Sequence, residues 1–195
     1  MNFISVDHNV VNPDNCIAQV PSEHGIYGWY YNFNSLHGFA NNPDRIKKML
    51  LDISEKLKNP EFQAFISAKF GNSFKGKLEY NGKFKEKDIN EKIDYLSQQE
   101  IEDLLSILQD FTQPLYIGIA QNLKERYATH YKSITANICD ADKQAGKCFG
   151  HRVQQQSIKI KELVYKFQTS NMNRSNIEKI EYIANRFFKP IFGRR

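Results

Sequence analysis

The strongest constraint on the fold is the wide separation of the first two strand-like segments. Residues 25–31 have the sequence Gly-Ile-Tyr-Gly-Trp-Tyr-Tyr between Pro21 and Asn32, and such aromatic runs favour strands over helices. The next segment of this kind, Leu115 to Ile119, follows only after a long stretch, and Leu163 to Phe167 is a third. If the first two strands pair, the stretch between them must return the chain close to where it left.

Helix signals occur at both ends of this intervening stretch. Asn42 supplies an N-cap ahead of Pro43 at the first helical position, and apolar residues recur after it at helical spacing. Ser97 and Glu100 form a capping box before a second periodic apolar run. We therefore predict a mostly helical insertion over residues 39–112.

The middle of the insertion has a different pattern. Asn59-Pro60 repeats the helix-start signal. Residues 77–85 then place an Asn-Gly turn between short alternating runs, which is typical of a tight hairpin. Several lysines lie in and beside these runs, so we predict a basic hairpin over residues 72–88.

The helix predicted after the second strand carries two polar residues on one face. Asn122 and Glu125 form a capping-box pattern at its start, and Arg126 and His130 follow one helical turn apart. Taken alone, such a pair is more often solvated surface than a site. We expect residues 139–148 to form a loop before the third strand.

The last predicted helix contains a carboxylate within its apolar stripe. Ser175 and Glu178 are expected to cap this helix, which runs to about Phe188. Glu181 falls inside the stripe, where it either reaches solvent, pairs with a basic side chain, or binds a metal ion. The stripe consists of Ile177, Ile180, Ala184, Phe187 and Phe188.

Bulk properties favour a polyanionic partner without identifying it. The chain has 195 residues and a formal net charge of +5, and no apolar run approaches the roughly 18 residues of a membrane span. Its first residues are too polar for a signal peptide, so we expect a cytoplasmic protein. Cys16, Cys139 and Cys148 lack the close Cys/His spacing of a zinc site and are expected to be free thiols.

Two tripeptides and three later residues together resemble the signature of a known nuclease family. Residues 25–27 are Gly-Ile-Tyr and residues 116–118 are Tyr-Ile-Gly. Arg126 follows in a helix that begins Asn-Leu, His130 lies one turn later, and Glu181 lies on a later helix. This ordered set resembles the GIY-YIG nucleases, and its layout is closest to stand-alone restriction and homing-type members.

The resemblance implies a fold and a division of the chain. We expect an α/β (α+β) protein whose small GIY-YIG-like domain has a central three-stranded antiparallel sheet flanked by helices. Residues 1–38 and 113–195 would form this nuclease-like core, and residues 39–112 a large helical insertion. The two tripeptides usually lie much closer together in the family, but the cost of closing a loop grows slowly with its length.

A second departure from the family concerns the end of the chain. The family has an asparagine after the glutamate, closing a segment that here, at residues 189–193, has the sequence Lys-Pro-Ile-Phe-Gly. Gly193 has no side chain that could support the site by hydrogen bonding, which puts full activity in doubt. Asn185, one turn after Glu181, could compensate, although an amide at that spacing is more often simply at the helix surface.

The resemblance implies a role for each matched residue in hydrolysing a phosphodiester. Glu181 would hold one Mg²⁺ or Mn²⁺ ion, a hard cation that accepts a single carboxylate plus water and phosphate oxygens. Tyr27 would take the proton from the attacking water, and Tyr116 would orient it. Arg126 would clamp the scissile phosphate. His130 would relay a proton, polarise the water, or only contact phosphate.

The expected partner is double-stranded DNA, and we expect the binding to be mainly electrostatic. We expect the insertion to be the element that recognises the target, and a symmetric homodimer would account for cutting of both strands. Sequence does not decide between DNA and RNA. The basic residues predicted to contact nucleic acid are Lys75, Lys77, Lys83, Lys85, Lys124, Lys132 and Arg152.

Two other functions remain open at this point. The chain could be a nucleic-acid-binding protein on a GIY-YIG fold whose activity was lost with the family asparagine. Alternatively, the insertion could be a protein-interaction surface, because aromatic residues are enriched in interfaces. Its aromatic residues are Phe62, Phe65, Phe70, Phe74 and Phe84.

Overall fold

A computed structural model describes residues 4–8, 13–57, 91–135 and 148–193. No helix among these residues is long and apolar enough to cross a membrane. The strands are β1 Ile4–Asp7, β2 Gly25–Tyr31, β3 Tyr116–Ala120 and β4 Leu163–Thr169. The α-helices are α1 Pro13–Ala18, α2 Pro43–Lys56, α3 Gln98–Phe111, α4 Leu123–Thr135, α5 Phe149–Gln155 and α6 Arg174–Phe188, and 3-10 helices span Phe33–Phe39 and Ile160–Glu162.

The four strands form one antiparallel sheet in the order β1-β4-β2-β3. The α+β class is confirmed. The expectation of three strands is wrong, because β1 adds a fourth strand at one edge of the sheet. Its sequence, Ile-Ser-Val-Asp, alternates over too few residues to indicate a strand by itself. β2 lies between β3 and β4, with Tyr27 opposite both Gly118 and Phe167.

One face of the sheet carries most of the aromatic side chains. Tyr27, Trp29 and Tyr31 alternate along β2 toward this face and are all buried. Tyr127 of α4 stacks on Trp29 with ring centroids 5.8 Å apart, and Phe149 of α5 lies 5.8 Å from the same indole. The core that borders β2 is therefore made mainly of packed rings.

Capping signals predicted three helix starts correctly. Asn42 accepts a hydrogen bond from a backbone N–H in the first turn of α2. Ser97 and Glu100 form the complete capping box at the start of α3. Asn122 accepts from the first turn of α4 at 3.1 Å. Each signal satisfies a backbone N–H that has no partner inside the helix, which is why it marks the helix start.

The start of the last helix differs from the prediction by two residues. Asn173, rather than Ser175, is the N-cap of α6, and its side-chain oxygen accepts from the N–H of Asn176 at 3.0 Å. Both residue types cap helices well, so the choice depends on which of them adopts the extended backbone conformation. Asn173 has φ −64° and ψ 159°, and Ser175 lies inside the helix.

The insertion is described only at its two ends. There the predicted helices are confirmed as α2 and α3, and both contact the 3-10 helix at Phe33–Phe39. The helix predicted after Asn59-Pro60 and the hairpin predicted over residues 72–88 lie outside the described residues, as does most of the loop predicted over residues 139–148.

The cysteines differ from the expectation in one respect. Cys16 is buried and keeps its thiol, as predicted. Cys148 is disulfide-bonded, so the prediction of a free thiol is wrong for this residue. Disulfide formation depends on proximity in space, which the spacing of cysteines in sequence does not give. Cys139 lies outside the described residues.

A buried amide connects the insertion to the end of β2. Gln109 of α3 accepts from the backbone N–H of Phe33 at 2.8 Å and donates to the carbonyl oxygen of Tyr31 at 3.3 Å. The side chain is almost fully buried, so no water replaces it easily. Gln109 therefore satisfies the backbone groups released where β2 ends and the 3-10 helix begins.

We predict that Gln109→Leu lowers the free energy of unfolding by about 1–3 kcal/mol, because it leaves the buried Phe33 N–H without an acceptor. Urea denaturation followed by circular dichroism measures the change. Gln99→Leu, on the exposed side of the same helix, is the matched control and should change stability little. Equal effects of the two substitutions would contradict a structural role for the buried amide.

Candidate active site

A cleft of about 710 Å³ opens at the free edge of β3, between α4 and α6. Four of the five predicted site residues line it: Tyr27 of β2, Tyr116 of β3, Arg126 of α4 and Glu181 of α6. Residues from distant parts of the sequence therefore meet because β2 and β3 pair and the two helices flank their edge. The fifth residue, His130, lies behind the tyrosines.

Tyr27 and His130 are joined by a buried hydrogen bond. The Tyr27 hydroxyl lies 3.2 Å from Nε2 of His130, and both side chains are buried. Their rings meet edge to face at 5.5 Å, and Tyr116 lies 5.5 Å from the imidazole. His130 is thus buried among rings behind Tyr27 and is not a surface group.

Tyr27 is held as a neutral phenol. Burial raises its pKa well above the ordinary value, and the neighbouring Tyr116 raises it further, while the Arg126 guanidinium acts in the opposite direction. The net direction is upward, so the phenolate is not populated at neutral pH. Tyr27 can therefore pass on a proton only if its own proton moves to another group at the same time.

Arg126 supplies positive charge at the mouth of the cleft. Its side chain is exposed, and its charge lowers the pKa of two buried phenols, Tyr27 and Tyr165, against the larger effect of burial. A guanidinium that is close to these hydroxyls and open to solvent is suited to binding an oxyanion in the cleft.

Glu181 is half-buried and faces the cleft from α6. Glu178, one turn earlier, also lines the cleft and pairs with Arg174 at 2.7 Å. From the sequence, Glu178 was predicted only to cap the helix, and Arg174 was given no role. Their helical spacing relative to Glu181 was the signal that could have placed them on the same face.

The cleft suits a hard divalent cation held by one carboxylate. Glu181 lines the same cleft as Tyr27 and Tyr116, and its carboxylate oxygens are donors that could hold Mg²⁺ or Mn²⁺. Within residues 4–8, 13–57, 91–135 and 148–193 no three His, Cys, Asp or Glu side chains cluster as a metal cage. Any ion here would keep most of its water or phosphate ligands.

The end of the chain is tied to the base of β3. The N–H of Ile191 donates to Pro114 at 3.2 Å, and that of Phe192 donates to Leu115 at 2.6 Å. Phe192 is buried with its ring 6.3 Å from Phe149. This anchoring places Gly193 beside the packed rings that underlie the site.

Two side chains considered in the sequence analysis, Arg152 and Asn185, hydrogen-bond to backbone oxygens. Arg152, which was predicted to contact nucleic acid, donates from Nη1 to the Gly193 carbonyl oxygen at 3.0 Å. The side-chain amide of Asn185 donates to the backbone oxygen of Glu181 at 2.9 Å, not to its carboxylate. The hydrogen bond of the Asn185 side chain thus lies within the helix, as expected for an asparagine at a helix surface.

The other basic residues predicted to contact nucleic acid fall into two groups. Lys124 is half-buried and Lys132 is exposed, both on α4. Lys75, Lys77, Lys83 and Lys85 lie outside the described residues.

Comparison with protein-family models, with curated proteins and with solved structures finds no match to this chain. What the fold and the cleft define is an α+β protein with tyrosine, arginine and glutamate side chains gathered at the edge of an antiparallel sheet. Any functional conclusion therefore depends on the chemistry of these side chains.

Gly118 makes the tyrosine pair possible. It lies directly opposite Tyr27 in the β2–β3 pairing. A Cβ atom at this position would lie 2.7 Å from the Tyr27 hydroxyl oxygen and 2.9 Å from a ring carbon of Tyr116. The phenol rings of Tyr27 and Tyr116 therefore occupy the space that a side chain at residue 118 would fill.

We predict that Gly118→Ala lowers the free energy of unfolding by about 1–3 kcal/mol, because the added methyl group overpacks the two rings. Denaturant titration measures the change. In a Tyr27→Phe background, which removes the clashing hydroxyl, the loss should be smaller by 0.5 kcal/mol or more, on the order typical of coupled neighbours. Gly38→Ala is the control, since open space surrounds that position. Additive effects of Gly118→Ala and Tyr27→Phe would contradict the contact.

Proposed function

We propose that the protein is a metal-dependent endonuclease that hydrolyses phosphodiester bonds of DNA. The observation that carries this proposal is the convergence of Tyr27, Tyr116, Arg126 and Glu181 on one cleft, with His130 bonded to Tyr27 from behind. The resemblance of residues 25–27 and 116–118 to the GIY-YIG tripeptides supports the same activity.

The phosphate is bound by Arg126. Hydrolysis develops additional negative charge on the non-bridging phosphate oxygens in the transition state, and a permanently charged planar guanidinium stabilises that charge through paired hydrogen bonds. Arg126 is exposed at the mouth of the cleft, so the phosphate can reach it without entering the core.

The proton leaves the attacking water through Tyr27. Because the pKa of Tyr27 is raised, the phenol cannot first lose its proton to solvent. Instead Tyr27 accepts the proton of the water as its own proton passes to Nε2 of His130, which lies 3.2 Å away. Tyr116 packs beside both rings and fixes the direction of the phenol.

Glu181 is the residue that would hold Mg²⁺ or Mn²⁺, and a bound ion would neutralise phosphate charge and make the attacking water more acidic. Glu178 does not share this role in the proposal, since it pairs with Arg174.

We assign the chain to a restriction or defence role in the cytoplasm because its layout resembles stand-alone members of the nuclease family. Residues 1–38 and 113–195 would form the catalytic core, and the insertion over 39–112 would read the DNA, with the lysine-rich residues 72–88 as the main contact. A homodimer would cut both strands.

Gly193 favours one alternative, a catalytically impaired protein that binds nucleic acid on the same fold. It occupies the place of the family asparagine, and the amide of Asn185 bonds to a backbone oxygen instead of replacing that group. In this alternative Arg126 binds phosphate, but no cleavage follows.

Supercoiled-plasmid cleavage tests the proposal. In Mg²⁺ or Mn²⁺ we expect nicking or linearisation that EDTA abolishes. Glu181→Gln removes the metal-binding charge and Tyr27→Phe removes the proton path, so each should reduce the rate by about 100-fold or more.

Two matched controls accompany this assay. Glu178→Gln changes the neighbouring paired carboxylate on the same helix, and Tyr30→Phe removes a hydroxyl from the opposite face of β2. Both should retain cleavage within a few-fold. Intact DNA binding without cleavage in either metal would instead support the impaired binding protein.

We further predict that Gly193→Asn increases the cleavage rate by about tenfold, the scale on which groups supporting a metal site act. A Cβ atom at this position would lie 3.1 Å from the Pro190 carbonyl oxygen and 3.4 Å from the Pro190 side chain, so small adjustments admit the side chain. Gly193→Ala is the control for added bulk. An unchanged rate in both variants would show that the family asparagine has no counterpart function here.

A further inference from the structure

A second cavity, of about 330 Å³, lies away from the catalytic cleft and is strongly basic. It lies between the 3-10 helix at Phe33–Phe39, the helix α2, and the segment that leads into β4. Four cations and one carboxylate line it, which leaves a formal charge of +3 (four minus one). These charged residues are Arg45, Lys56, Lys159, Lys161 and Glu162.

The carboxylate of this cavity, Glu162, already has hydrogen-bond and ion-pair partners. Glu162 accepts from the Tyr31 hydroxyl at 3.0 Å and from the backbone N–H of Lys159 at 2.7 Å, and it lies 3.7 Å from Lys56. Lys56 is in turn paired with Asp52 at 2.7 Å. The charges of Glu162 and Lys56 are therefore largely balanced by each other and by Asp52.

The remaining three cations have no carboxylate partner within the described part of the chain. Arg45 lies over the ring of Phe39, with its guanidinium carbon 3.8 Å from the ring centroid. Stacking of this kind holds the planar group while leaving its N–H donors free to point outward. Lys159 and Lys161 are exposed on the opposite wall. The cavity thus presents donors to an anion from two sides.

The cavity and the cleft lie at opposite ends of the sheet. The cleft includes His24, which precedes β2, whereas the cavity includes Lys161 and Glu162, which precede β4. Because β4 runs antiparallel to β2, Glu162 lies near Tyr31 at the far end of β2.

We propose that this cavity binds a backbone phosphate of the same DNA duplex whose scissile bond lies in the cleft. The inference rests on the proposed function for the identity of the ligand, while the cavity's charge and geometry stand independently. Phosphate binding at a second point along the duplex would fix the direction of the DNA on the protein, since phosphate contacts set register and orientation.

The test measures affinity for a 20-base-pair duplex in EDTA, from low to moderate salt, so that no cleavage is needed. For Arg45→Ala/Lys161→Ala, the slope of log affinity against log salt should become shallower by about 0.9, the loss of one phosphate contact. Lys48→Ala/Lys92→Ala removes the same charge from exposed positions outside the cavity and is the matched control. Equal slopes in the two double variants, or no duplex binding by the natural protein, would overturn the proposal.

Calorimetry with inorganic pyrophosphate, in EDTA, separates the possible sources of the phosphate. Pyrophosphate binding that persists in Arg126→Ala and is lost in Arg45→Ala/Lys161→Ala supports the cavity as the site. If pyrophosphate binds there but the duplex slope does not change, the cavity takes free phosphate compounds and its role on DNA is wrong. Because neither measurement uses cleavage, a failed plasmid assay would count against the endonuclease and not against this site.

Discussion

The pairing of β2 with β3 is the interaction on which the rest of the structure depends. It brings Tyr27 opposite Gly118, and only a glycine there lets the two phenol rings lie side by side. The pairing has to close across the whole insertion, which is feasible because loop-closure entropy grows only logarithmically with length. The insertion also supports it directly, since Gln109 of α3 bonds to the backbone at the end of β2.

The choice of aromatic residues in the core has a chemical consequence. Rings pack as well as aliphatic side chains, but Tyr27, Tyr127 and Tyr165 bring hydroxyl groups into a low-dielectric interior, where burial raises the pKa of each. Phenols in this state exchange protons only with groups that they contact. The Tyr27 hydroxyl lies 3.2 Å from Nε2 of His130, and the Tyr127 hydroxyl lies 2.6 Å from Nε2 of His8. The same side chains thus pack the core and form its buried hydrogen bonds.

Sequence was most informative where a local interaction determines the structure. The caps at Asn42, Ser97 and Asn122 act within one helical turn, so the pattern alone located three helices. Sequence was least informative where contacts between residues distant in the chain determine the structure. β1 exists because it pairs with β4, although its four residues have little strand character of their own. The ordered motif brought together four residues that line the cleft, whereas Arg174 and Glu178 were missed although their spacing from Glu181 puts them on the same face of α6.

That packing also determines how well Glu181 can be positioned. Among the residues of α6 only Ile177 is buried, while Ile183 and Phe187 remain largely exposed, so the helix is held less by its apolar face than by its ends. At the carboxyl end Gln113 donates to the carbonyl oxygen of Phe188 at 2.6 Å, and the following segment hydrogen-bonds to the residues before β3. The carboxylate and Tyr116 are therefore tied to the same short stretch of chain. Whatever fixes the end of α6 to the residues before β3 also fixes the distance between the Glu181 carboxylate and the tyrosines.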